Sequence, residues 1–220
     1  MNHHTLTATT SGPTARGVVA AHVRRLRRCT RVSELEDFAV AHGLNAPADF
    51  ARYVSALRMV AGVDLAAVRA LGFAQRQVDP VLVARARRGP RLMLWCAGTT
   101  RRFTVARRGG QVLWRDHHPP DRFVINAVRA AESAALQAIW LAGQALGRSM
   151  WDAGVLRLTM ERSHGLALVD LHHAAVAANL LLELVTDPID NPASRKTGSR
   201  TVPWDRGDFL TLIGSDRELR

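Results

Sequence analysis

Cysteine is close to absent: only Cys29 and Cys96 occur, far apart and in different kinds of segment. They offer no disulfide framework and no metal-binding pair, which suits a reducing, cytoplasmic setting. Aromatic residues make up only 5% of the chain, with a single Tyr. The core must then come from Ala, Val and Leu, and small side chains favour helices that pack closely. No stretch is both long and apolar enough to suggest a membrane span. The run 134 to 147 is too short, and the run 166 to 185 carries Asp170, His172, His173, Asn179 and Glu183, each expensive in hydrocarbon. Residues 1 to 16 lack a basic start followed by an apolar stretch, so a mobile tail is predicted rather than a secretory signal. There is no phosphate-cradling Gly loop, no His-Glu-x-x-His and no nucleophile elbow. No catalytic residue, metal or cofactor is assigned on this basis, and an enzymatic reading is left open without being favoured.

What the chain does have is length for a core and an excess of positive charge. Its 220 residues are 47% hydrophobic, which excludes disorder throughout. A net charge of +11 points to a polyanionic partner. All basic residues except Lys196 are Arg, and Ala is abundant; a GC-rich coding sequence gives the same bias without selection for a ligand. Arg24, Arg25, Arg27, Arg28 and Arg31 place five charges in eight residues. A second group comprises Arg85, Arg87, Arg88, Arg91, Arg101, Arg102, Arg107 and Arg108. Such runs usually mark a solvated face, but two groups bracketing one helical unit form a polyanion-binding face if they converge.

Caps and stops recur at helical intervals through residues 17 to 89, predicting a cluster of short helices. Ser33 and Glu36 have capping-box spacing for a helix closed by Gly43. Pro47 opens the next, whose expected buried side is Phe50, Val54, Leu57 and Val60 or Ala61. After Gly89-Pro90 the pattern turns strand-like over 91 to 98, 101 to 108 and 111 to 117, with Gly109-Gly110 as a hairpin turn. A long helix is predicted from about 122 to 146, then a hairpin of 155 to 162 with 165 to 171 around Ser163-His164-Gly165, then a buried helix over 173 to 186. The resulting expectation is an α+β fold: an N-terminal small helical unit followed by an antiparallel sheet with a long helix packed across it. Its parts are a disordered tail (1 to 16), a helical unit with a helix-turn-helix (17 to 89), an α+β domain (90 to 187) and a C-terminal arm (188 to 220).

Residues 26 to 69 resemble the second helix-turn-helix of AraC-type transcription regulators. In that family a short helix ends in Ala-x-x-x-Gly-Phe, a Phe and an Arg follow at fixed spacing, and a Gly-Val-x-Pro-x-x-x-Arg stretch closes the unit. Here Ala39, Gly43-Leu44, Phe50, Arg52, Gly62-Val63 and Arg69 hold those positions. The chain departs at Leu44, where Phe is usual, and at Leu65, which replaces the proline. The second helix is also three residues longer, and one unit is visible where the family carries two. The resemblance implies a second helix facing the major groove. Ala46, Pro47 and Ala48, which would approach base edges, offer no Arg, Asn or Gln, so Arg52 and Arg58 suit phosphate contact rather than readout. The predicted element order over 101 to 186 is also similar to roadblock-type modules, which regulate small GTPases by dimerising; that resemblance implies a homodimer.

Asp116-His117-His118 and Asp170-x-His172-His173 carry the residue types that bind zinc or iron. Adjacent His side chains diverge on either a strand or a helix, so each pair supplies one ligand at most. His172, Val176, Asn179 and Glu183 share one side of the expected helix, which reads as a satisfied buried network. Cys96 as a nucleophile, with His164 or His117 as base, lacks any feature fixing their approach, and an inert buried thiol is expected. The function read from sequence is non-enzymatic DNA binding, of the kind found in transcription regulators, with phosphates held by Arg24, Arg25, Arg27, Arg28, Arg31, Arg52 and Arg58. The alternative is a protein-interaction or dimerisation module whose charge is compositional.

Overall fold

The computed structural model describes residues 14–29, 31–195, 200–206 and 211–214. Six helices come first: α1 (Ala15–Ala21), α2 (Val23–Arg28), α3 (Val32–Ala41), α4 (Pro47–Ala56), α5 (Leu65–Arg76) and α6 (Pro80–Arg88). Several start where side-chain chemistry satisfies free amides or removes one. Thr14 Oγ accepts from the Gly17 amide, Asp64 from Ala66 and Ala67, and Asp79 from Val81, while α4 and α6 both begin on Pro. The capping residue of α3 differs from the expected Ser33: the helix begins at Val32, and the Glu34 carboxylate accepts from the Arg31 amide. Helix α4 runs on through a wider π-helical turn, Leu57–Ala61, and stops at Gly62 in the left-handed conformation (φ 68°). Val19, Leu26, Leu35, Phe38, Tyr53 and Leu57 fill the core of this helical unit.

The remainder is one five-stranded sheet in the order β3-β2-β1-β4-β5, formed by β1 (Arg91–Gly98), β2 (Arg102–Arg107), β3 (Val112–His117), β4 (Gly154–Met160) and β5 (Leu180–Thr186). Long helix α7 (Ala127–Gly147) packs across it, and α8 (Leu168–Ala177) joins β4 to β5. The fold is α+β, with a helical unit ahead of the sheet. The sheet is mixed, however, where an antiparallel one was expected. β1 pairs antiparallel with β2, and β2 with β3, while β1, β4 and β5 run parallel.

The difference arises after Met160. The predicted hairpin partner, 165 to 171, instead leads into α8, because Leu168, Leu171 and Ala175 repeat at helical rather than alternating spacing and are buried. The predicted helix 173 to 186 ends at Ala177, and Asn179 turns the chain at φ 57°. LLLELVT then forms β5. A short, nearly continuous apolar run fits a buried strand as well as a buried helix, and parallel strands require a crossover, which α8 supplies. The roadblock-like order of hairpin, helix, hairpin, helix is therefore not formed. The expected polar stripe is also dispersed, since His172 lies on α8, Asn179 in the turn and Glu183 on β5.

Helix α7 opens at Asn126, whose side chain accepts from the Arg129 amide, and not at 122. Its sheet-facing side is Ala130, Ala134, Ala138, Ala142 and Ala145, all fully buried. Small side chains let the helix lie close, and a Cβ added at Gly98 would collide with the Ala130 carbonyl. The expected N-terminal tail lies outside the described residues up to 13, and its last two residues, Ala15 and Arg16, are helical. In the region read as a C-terminal arm, α9 (Pro192–Arg195) packs on β1 and β2, Val202 pairs with Arg115, and α10 (Thr211–Gly214) contributes Leu212 to the main core.

Gly98→Ala should lower the unfolding free energy by about 1–3 kcal/mol, the usual cost of overpacking. Gly147→Ala, with nothing within 4 Å of the added carbon, should raise it by about 0.5 kcal/mol. Urea denaturation of the two variants beside the parent chain checks both signs.

Candidate nucleic-acid interface

Helices α3 and α4 are joined by a turn at Gly43 (φ 68°), where the Leu44 amide reaches back to the Ala39 carbonyl. The two helices are pinned chiefly by Tyr53, which sequence reasoning missed. Its ring is fully buried and stacks near Phe38, and its hydroxyl donates to the Leu35 carbonyl at 2.9 Å. Phe50 and Val54, expected on the buried side of this helix, are only partly buried. Ala46, Pro47, Ala48, Ala51, Arg52 and Ser55 leave the opening of α4 and its outer side exposed.

The seven arginines singled out from sequence divide into three groups. Arg27 turns inward: its Nε donates to the Ala61 carbonyl at 2.9 Å and its Nη2 to Val60 at 3.4 Å, closing the π-helical turn. Burial pulls its pKa below the ordinary guanidinium value, with Asp187 opposing. Arg27 is thus a structural residue and not a surface phosphate contact. Arg52 and Arg58 are exposed but engaged. Arg52 pairs with Asp49 at 3.0 Å, and Arg58 donates to His164 Nε2 at 3.2 Å. Arg24, Arg25, Arg28 and Arg31 are exposed. Of these, Arg25 lies 5.7 Å from the Phe38 ring centre and shares a groove with Arg28, Glu34 and Asp37, while Arg28 faces Asp187 at a loose 3.9 Å.

The second arginine group meets the first at one place. Arg31, just after α2, lines the same opening as Arg87 on α6 and Arg91 at the start of β1. Arg91 pairs with Glu183 at 2.7 Å, and no ion pair engages Arg31 or Arg87 among the described residues. The fold therefore gathers guanidinium groups that lie some 60 positions apart in the chain.

No three His, Cys, Asp or Glu side chains converge as metal ligands would among the described residues. His118 is held at both nitrogens, by Ser133 Oγ at 2.9 Å and the Thr99 carbonyl at 2.7 Å, while His117 is exposed beside Asp116. His172 is buried and its neighbour His173 is exposed. The Cys96 thiol is buried, and burial pushes its pKa far up, with Glu161 adding to the effect. A thiol held protonated is a poor nucleophile. His164 stands between Asp64 and Arg58 on the helical unit. Searches of protein-family models, of curated proteins and of solved structures return no match to this chain.

Tyr53→Phe should cost about 0.5–1.5 kcal/mol, the net contribution of a buried hydrogen bond, read as an earlier urea midpoint at unchanged helical content. Burial, and secondarily His173, hold the His172 pKa below the ordinary imidazole value of 6.5, with a backbone hydrogen bond at Ala74 opposing. The unfolded chain then takes up that proton at higher pH than the folded one, so stability should fall as pH drops below that value. The fall should be shallower in His172→Asn, as followed by thermal melts between pH 7.5 and 5.5.

Proposed function

We propose that this chain binds duplex DNA through its phosphates, without reading base sequence. The observation that carries this reading is that Arg31, Arg87 and Arg91 line one opening, in which Glu183 is the carboxylate among the lining residues. Guanidinium groups gathered in this way neutralise neighbouring phosphates and release condensed counterions. Arg24, Arg25 and Arg28 on α2 extend the positive surface. The exposed opening of α4 presents no Arg, Asn or Gln at the positions expected to approach base edges, which supports positioning contacts over direct readout. Arg27 takes no part, and Arg52 and Arg58 contribute only by leaving their present partners.

The alternative, a dimerisation module, is favoured by one observation. A largely apolar groove runs between α5 and α8, lined by Ala66, Ala70, Phe73 and Val169, and Phe73 is 60% exposed. Light scattering separates the two readings, since a stable dimer indifferent to DNA supports the module and a monomer that DNA recruits supports the proposal.

Binding to duplex DNA should weaken steeply with salt. In Arg31→Ser/Arg87→Ser the slope of log affinity against log salt should become shallower by about 0.9 for each phosphate no longer neutralised. Arg27→Ser should instead lower stability. A gel-shift series showing no retardation at low ionic strength ends the proposal.

A further inference from the structure

Behind the arginine-lined opening lies a cavity of about 570 Å³ between the helical unit and the sheet. That size falls within the usual range for small-molecule sites, about 300–1,000 Å³. Its walls come from α5, α6 and α8 and from β5, which is the edge strand of the sheet. Val68, Leu71, Leu168, Leu182 and Leu184 supply the apolar part of a lining that also includes Gln75, Ser163, His172 and Thr186. An edge strand needs partners for its outward backbone groups, and on this side Gln75 Nε2 donates to the Leu182 carbonyl at 3.0 Å.

One wall residue carries an unmet polar atom. His172 is 2% exposed, and its Nδ1 has no hydrogen-bond partner among the described residues. Buried polar atoms in folded proteins are satisfied almost without exception, and each orphan calls for a reason. A cationic occupant would face Arg31, Arg87 and Arg91. The lining thus asks for an occupant with an apolar part and a negative charge.

We propose that this cavity binds a small amphipathic carboxylate, its hydrocarbon body against Leu71, Leu168 and Leu182 and its carboxylate on Arg31 and Arg87. A guanidinium matches a carboxylate with two parallel hydrogen bonds, and neither of these arginines is committed to an ion pair among the described residues. The site stands independently of the DNA reading, because the same groups would hold the ligand whether or not phosphates bind outside. Should both hold, an occupied cavity withdraws two guanidinium groups from the phosphate-binding face.

Isothermal titration of the full chain, without DNA, tests this with decanoate, decanol and decyltrimethylammonium, which share one hydrocarbon body and differ in charge. Decanoate should bind one per chain, at least tenfold tighter than decanol, and the cation should not bind. Arg31→Ala/Arg87→Ala should remove the preference for decanoate over decanol while leaving the circular dichroism spectrum unchanged, since both side chains are on the surface. Saturation with decanoate should also shift the His172 imidazole ¹⁵N resonances. Equal affinity for decanoate and decanol, a preference that survives in the double variant, or His172 resonances that stay in place would each overturn the proposal. Gel shifts that fail while decanoate binds would remove the DNA reading alone.

Discussion

The end of one helix fastens the two halves of this molecule by hydrogen bonds, beside the packing of α5 on α8 and of α6 on β4. The last carbonyls of a helix have no partner within it and must be met from outside. Here Val60 and Ala61 receive the Arg27 guanidinium, and the Gly62 carbonyl receives both the Ser163 hydroxyl and the His164 amide at 3.1 Å. The turn after β4 is thereby fastened to the end of the α4 extension. Asp64, which caps α5, lies 3.7 Å from His164 on the other side, and Arg58 donates to the same ring. With this junction fixed, α5 lies beside α8 and Gln75 reaches the edge of β5. The cavity and its arginine-lined mouth exist because the helical unit is held over that strand edge without filling the space.

Packing elsewhere follows from the shortage of aromatic residues. The α7 face is Ala at nearly every contact, so close approach to β1 replaces bulky interdigitation, and at Gly98 the Ala130 carbonyl leaves no room for a side chain. Three of the large rings are grouped. Trp114, Trp140 and Trp204 form a chain of ring contacts at 5.3 and 4.9 Å, with Arg148 over Trp204 at 5.0 Å. Through Trp204 and Leu212, segments beyond residue 200 become part of the main core instead of a surface arm.

Local signals make the first half of the sheet and the long helix readable from sequence. Gly109 and Gly110 both adopt φ 81°, as the hairpin between β2 and β3 demands, and the apolar repeat of α7 runs for many turns. The segment after Met160 reads differently in isolation because its meaning is not local. LLLELVT becomes a strand only because β4 offers it a parallel edge, and Leu166 and Leu168 pass for alternation over so short a window. Tyr53 is silent for a similar reason: its hydroxyl partner is the backbone carbonyl of Leu35, eighteen positions away, and carbonyls leave no mark in a sequence. The cavity is wholly invisible there, since its lining is assembled from residues between 29 and 186.

The arginine count itself carries two meanings that only the three-dimensional arrangement separates. A guanidinium is planar and offers several donors, so it can bridge successive carbonyls at a helix end in a way that an ammonium group does less well. Arg27 does this, Arg115 is buried with its Nε donating to Thr104, and Arg107 reaches Thr211 at 2.5 Å. These side chains add to the net charge without adding to any outward-facing patch. Pairs such as Arg69 with Glu36 and Arg129 with Glu132, both at 2.7 Å, are likewise neutralised locally. The net charge of +11 already counts such pairs as zero, so it is the inward-turned arginines that leave less of it on the surface, and the strength of the remainder lies in position. Charges that line one opening would act on an anion together, whereas the same charges scattered over a solvated surface would be screened within about 8–10 Å of one another at ordinary ionic strength.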